Sequence, residues 1–304
     1  MKILCIDGGG IRGVFAISIL KQIENELGEC ISNYFDVIAG TSTGSIIAAS
    51  ITMKRKMSDV LQSYEQYGKK IFIPKSKFGL FKSIYSDQYL RKYLKEAFRG
   101  ISLEDIDKPL LIPAVNASNG KPYVHRSNFG HPESKDLSIE LWDAVLSSCS
   151  APIYFPPNNV KNNYLSIDGG LWANNPSLVC ITDALHHFNE DLKDIKIFSL
   201  GTGIQTIHYS IDQNKYWGLK KWLPFHFPEM KFTPKLIDLA LNLSSESVTY
   251  HCQQLLGKNY LRINCELGKE IPFDDIDSIF PLIELGKEVF TEKKEEIKNF
   301  FLSE

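Results

Sequence analysis

Ile3-Leu4-Cys5-Ile6-Asp7-Gly8-Gly9-Gly10-Ile11-Arg12-Gly13 and Phe35-Asp36-Val37-Ile38-Ala39-Gly40-Thr41-Ser42-Thr43-Gly44 share one pattern. Each is an apolar run that enters a tight glycine turn and is followed by helix-forming sequence. After the first turn, Ala16, Leu20, Ile23 and Leu27 make one apolar helix face, and Gly28 is a stop signal. After the second comes Ser45-Ile46-Ile47-Ala48-Ala49-Ser50-Ile51, small and apolar as a helix buried against a sheet must be. This rhythm predicts an α/β fold, a three-layer sandwich with a mostly parallel central sheet. In such sheets the turns gather at the carboxyl ends of the strands, where sites are built.

Further strands are expected at Leu110–Val115, Tyr164–Ile167, Ile195–Leu200 and Tyr260–Ile263. Asn175 and Pro176 read as the N-cap and first residue of a helix through about Phe188. Lys235–Leu256 and Leu285–Leu302 read as amphipathic helices. No repeat, low-complexity linker or domain boundary is visible, so residues 1–304 are expected to form a single domain. Its motif-bearing core would be about 1–200, with a covering or regulatory part at about 205–304.

The composition is 43% hydrophobic and 23% charged, with a formal net charge of −2. That excludes disorder and gives no sign of a nucleic-acid-binding protein. No apolar run is long enough to span a bilayer, and the first residues read as a strand rather than a signal peptide. The cysteines (Cys5, Cys30, Cys149, Cys180, Cys252, Cys265) show no zinc spacing. Free thiols in a reducing cytoplasm are the expectation.

Gly8, Gly10 and Gly13 fit a dinucleotide fingerprint. That fingerprint also needs an acidic residue ending the second strand, and here the strand runs into Gly40-Thr41-Ser42, with Asp36 at its beginning. A glycine row is equally suited to holding an oxyanion on backbone N–H groups, and it is also a common plain turn. Gly-Thr-Ser-Thr-Gly between a strand and a small-residue helix is the context of a nucleophile elbow. A phosphate loop would need Gly-Lys-Ser/Thr, and Gly44 is followed by Ser45.

The seven histidines (His125, His131, His186, His187, His208, His226, His251) include none in a glycine turn after a strand. Asp168 does stand in one, at the end of Tyr164–Ile167 and the start of Asp168-Gly169-Gly170, on what reads as the same edge of the sheet. A carboxylate there could take the Ser42 proton directly. An ordinary Asp-Gly turn is the alternative, and the residues alone leave the two close to even.

Together these segments resemble the patatin-like phospholipase family. Its marks are a D-G-G-G-x-[RK]-G loop, a G-x-S-x-G serine and a D-G-[AG] aspartate. Here they stand as Asp7–Gly13, Gly40–Gly44 and Asp168–Gly170, in the family's order. Ser147–Pro157 is similar to the stretch that precedes the aspartate in the family. Ser45 departs from the glycine found there in many relatives. The resemblance covers about residues 1–200. It implies lipid acyl hydrolysis by a Ser42–Asp168 dyad, with Gly8, Gly9, Gly10 and Arg12 at the oxyanion and no metal or cofactor. Within the family, the compact form resembles bacterial antiphage patatins that cyclic dinucleotides switch on to degrade membrane phospholipid. Stand-alone lipases have the same compact form, and a non-catalytic lipid- or nucleotide-binding module is a further alternative.

A phospholipase has to reach a bilayer without spanning it, and a cytoplasmic protein peripheral to the inner face of the membrane is the expectation here. Lys69–Arg99 holds nine basic residues against two acidic ones, interleaved with Phe72, Phe78, Phe81 and Tyr85. Tyr216, Trp217, Lys220, Lys221, Trp222, Phe225 and Phe227 form a second such stretch. Either suits an anionic bilayer or a nucleotide activator, and equally a solvated face with core aromatics.

Overall fold

The computed structural model describes residues 1–75, 82–129, 137–205 and 235–302, with backbone only at 225–226, 231–232 and 235–237. One sheet carries the fold. Its strands are β1 (Lys2–Ile6), β2 (Val37–Gly40), β3 (Leu110–Asn116), β4 (Lys121–Arg126), β5 (Asn158–Val160), β6 (Tyr164–Asp168), β7 (Lys196–Leu200) and, later in the chain, β10 (Tyr260–Ile263). The order is β10-β7-β1-β2-β3-β6-β5, with β4 also on β3. β10, β7, β1, β2 and β3 run parallel, while β4, β5 and β6 pair antiparallel. β8 (Phe225–His226) and β9 (Lys231–Phe232) form a separate hairpin.

The strands are apolar on both sides because helices cover both faces. Leu4, Ile6, Ile38, Ile112, Phe198 and Leu200 point into one core layer. Five helices from the first half of the chain fill it: α1 (Gly13–Leu27), α2 (Thr43–Thr52), α3 (Met57–Ile71), α4 (Gln88–Ala97) and α5 (Leu141–Cys149). Ile3, Cys5, Val37, Ala39, Leu111 and Ile197 point into the other, under α6 (Gly170–Ala173), α7 (Ser177–His187) and α8 (Lys235–Leu256). The alternation along each strand is the period of two that a pleated strand imposes. The three-layer α/β architecture read from the sequence is the one observed.

The C-terminal part does more than cover this core. β10 is an edge strand of the same sheet, and α9 (Ile279–Leu302) packs along α1 in the first layer. α9 begins six residues before the expected Leu285. Pro281 falls in its first turn, where a missing N–H costs no hydrogen bond. Among the described residues no helix is long and apolar enough to cross a membrane. All six cysteines are free, and Cys5 and Cys180 lie with their sulfurs 3.5 Å apart.

β3 makes the geometry on which the site depends. Leu111 pairs with Ala39 of β2 and Arg126 of β4, and Ala114 pairs with Asp168 of β6 and Tyr123 of β4. β4 therefore takes one edge of β3 along its length. β2 and β6 share the other edge, meeting carboxyl end to carboxyl end. Pro113 lies between these two pairings. It has no N–H to offer there, and its carbonyl accepts from Ser148 Oγ at 2.6 Å.

Candidate active site

Ser42 follows the end of β2 and caps α2, with φ 53° and ψ −124°. A serine rarely adopts such angles, and the surroundings hold it there. A side chain at Gly40 would strike the Gly44 carbonyl, and one at Gly44 would strike the Ile6 carbonyl. Only glycine lets α2 lie this close to β1 and β2. The Ser42 N–H donates to Ser148 Oγ at 2.8 Å, and the Ser42 carbonyl accepts from Ser45 Oγ at 2.6 Å. The departure at Ser45 thus braces the elbow.

Ser42 Oγ donates to Asp168 Oδ2 at 2.6 Å. The Gly170 N–H donates to Asp168 Oδ1 at 2.7 Å, which fixes the carboxylate plane. Asp168 is 6% exposed. Burial raises its carboxyl to about 6, while the bonds from Ser42 and Gly170 pull the other way. β6 runs antiparallel to β3, so Asp168 reaches the serine from the direction opposite to β2. The carboxyl end of β6 nevertheless lies at the carboxyl end of β2, and there the aspartate meets the serine. Gly169 packs directly on the Pro113 carbonyl, and Gly170 lies against Asn174.

The glycine loop differs in part from expectation. The Gly8 N–H donates to the Asn174 carbonyl at 3.0 Å and so is already engaged. The Gly8 carbonyl accepts from Thr202 Oγ1 at 2.7 Å, and the Gly9 carbonyl accepts from the Arg12 N–H at 3.1 Å and Arg12 Nε at 3.3 Å. In a trans peptide the N–H points away from the carbonyl. Anchoring these two carbonyls therefore fixes the directions of the Gly9 and Gly10 N–H groups, which make no hydrogen bond among the described residues. Gly9, Gly10, Ser42 and Asp168 line one cavity. Gly10 has φ 57° and sits against Phe273, whose carbonyl accepts from the Ile11 N–H at 2.8 Å.

Arg12 does not reach the cavity as a ligand for charge. Its guanidinium is buried 4.2 Å above the Phe273 ring, and burial lowers its pKa to about 10. Asp7 is buried too, paired with Arg262 of β10 at 2.5 and 2.8 Å and accepting from Ser245 Oγ at 3.1 Å. Ser148, Thr202, Asn174, Arg262 and Phe273 are supports that the sequence reading missed. Ser148 lies in the Ser147–Pro157 stretch, but its partners Ser42 and Pro113 cannot be read from it, and the other four stand in no motif.

No described histidine borders the serine. His125 is buried on β4 beside Tyr123, and burial lowers its pKa to about 3. His186 and His187 end α7, and His251 lies exposed on α8. His131 and His208 fall outside the described residues, as does the side chain of His226. The aromatic-basic stretches are only partly visible. Phe78, Phe81 and Lys77 fall outside the described residues, as does Tyr216–Phe227 apart from two backbone positions. Of the rest, Phe72 lines the cavity and Tyr85 is buried against Asp274, so neither is a surface aromatic.

The chain is similar to several known proteins. The family model described as patatin-like phospholipase matches residues 4–181. Patatin-like protein 4 of Arabidopsis thaliana is 29% identical over 324 residues, covering 92% of this chain and 80% of the relative. A cGAMP-activated phospholipase of Pseudomonas aeruginosa is 28% identical over 274 residues, covering 86% and 77%. A cUMP-AMP-activated phospholipase of Escherichia coli is 25% identical over 318 residues, covering 99% and 94%. With its elbow serine, its Asp-Gly-Gly aspartate and its glycine loop in one cavity, the chain belongs to the patatin-like phospholipase family.

Proposed function

We propose that the protein is a lipid acyl hydrolase of the phospholipase A type, working through a Ser42–Asp168 dyad. The observation that carries the reading is the 2.6 Å bond from Ser42 Oγ to a buried carboxylate. Ser42 Oγ attacks the ester carbonyl carbon while its proton passes to Asp168 Oδ2. The Gly9 and Gly10 N–H groups receive the oxyanion. The carbon–oxygen bond to glycerol breaks, and Asp168 returns the proton to that oxygen. Water then adds to the acyl-serine, giving a proton to Asp168. Ser42 Oγ leaves and takes that proton back, and the fatty acid is released. Gly8 and Arg12 hold the loop in place through their bonds to Asn174 and Gly9.

The substrate is held in a phospholipid surface that the protein meets peripherally, on the cytoplasmic side. The exposed cations Lys69, Lys70, Lys92, Lys95 and Arg99 support that contact. A cyclic dinucleotide activator is the regulatory reading, supported by the names of two relatives. Constitutive lipase activity is its alternative.

Phospholipid turnover by wild type, Ser42→Ala and Asp168→Asn tests the reading, with a fluorophosphonate probe on Ser42. Both variants should stay folded and lose nearly all hydrolysis. Full turnover by either overturns the dyad. Adding cyclic dinucleotides one at a time separates a switched enzyme from a constitutive one.

A further inference from the structure

Ser42 stands where two largely apolar cavities meet, and Asp168 borders only one of them. One is the cavity with Gly9, Asp168 and Asn174, and Leu171 lies at its exposed side. The other runs between α3 and α4, and Ile46, Ser63, Leu90 and Tyr93 are among the residues that line it and not the first. Gly10, Ser42, Phe72, Cys149 and Phe155 border both.

We infer that the α3–α4 cavity takes the acyl chain that is cleaved, and that the Asp168 cavity takes the glycerol, head group and remaining chain. The inference rests on the hydrolase reading and assigns the two halves of its substrate. Its ground is where the proton must go. Asp168 has to return a proton to the departing glycerol oxygen, so that oxygen leaves on the Asp168 side. Asp168 borders one cavity only. The acyl carbon's other substituent, the hydrocarbon chain, is then directed into the second cavity. That cavity is fit for it, since its described lining contains no charged side chain. Its hydroxyls are partly spent on the protein: Tyr64 is buried and bonded to Thr43. A hydrocarbon chain needs no polar partner, and each methylene it buries is worth about fourfold in binding. Ser63, half-buried on α3, and Leu90, buried on α4, then set the chain length that fits.

The test uses the full chain with p-nitrophenyl esters from butyrate to palmitate. Alkyl fluorophosphonates of matched lengths give labelling rates at Ser42 without requiring turnover. Ser63→Phe, which fills the α3–α4 cavity, should lower the ratio of palmitate to butyrate kcat/KM by roughly tenfold or more. Leu90→Ala, which widens it, should move the preferred length upward. Leu171→Ala, in the other cavity, should leave the chain-length profile alone. An unchanged length profile in both Ser63→Phe and Leu90→Ala overturns the assignment, as does a shifted profile in Leu171→Ala. If Ser63→Phe loses all substrates equally through misfolding, Leu90→Ala alone decides. Absence of both hydrolysis and labelling at every length in wild type would instead sink the hydrolase reading.

Discussion

At Asp168 the two demands on a residue, stability and reactivity, oppose each other. A base near neutrality needs burial, and burial disfavours its charge. Its carboxyl stands at about 6 in the fold against 3.8 for an ordinary aspartate. Its contribution to stability is complete below about 3.8 and is lost as pH rises through about 6. Asp168→Asn escapes that loss, so it should be more stable than wild type at pH 8 by on the order of 3 kcal/mol, with the gap closing towards pH 4. Thermal unfolding at the two pH values measures this; a gap that does not narrow in acid rules out the raised carboxyl. The same titration predicts that kcat/KM rises with pH and levels off above about 6, because only the ionised carboxylate accepts the serine proton. A profile flat from pH 4.5 to 8 would remove Asp168 as the base.

The elements hold the serine through contacts that skip the chain neighbours. α5 supplies Ser148, whose hydroxyl accepts from the Ser42 N–H and donates to the Pro113 carbonyl. Ser148→Ala leaves a buried N–H and a buried carbonyl without partners, at a cost of about 1–3 kcal/mol. Its melting temperature should fall, and the labelling rate of Ser42 should fall with it. A lower melting temperature with unchanged labelling would make Ser148 a packing residue only. Most strands and helices were legible from local pattern: Tyr260–Ile263 and Lys235–Leu256 stand as read. β4 and β5 were not, because strands such as Lys121-Pro122-Tyr123-Val124-His125-Arg126 mix polar and apolar residues without a clean period. The state of β4 is set by the edge of β3 that it covers, and that of β5 by the edge of β6.

Across the whole molecule, the C-terminal part ties back to the first loop. Arg262, on an edge strand, forms the buried pair with Asp7, and Phe273 clamps Ile11 and Arg12. Arg262→Met strands a buried carboxylate and should cost about 3–5 kcal/mol in urea unfolding, much of it recovered when Asp7→Asn is added. A single variant as stable as wild type would show that the pair holds nothing together. The sequence by itself determined the α/β layering, the elbow at Ser42 and the candidacy of Asp168. Each of these is written in a few adjacent residues: an apolar run, a glycine turn, a small-residue helix. Only the tertiary structure decided that β6 arrives antiparallel, that the Gly8 N–H is engaged while those of Gly9 and Gly10 make no hydrogen bond among the described residues, that Asp7 answers Arg262, and that the serine borders two cavities. Those facts depend on which strand edges pair and which distant side chains fill the gaps, and such long-range choices leave no local mark in the chain.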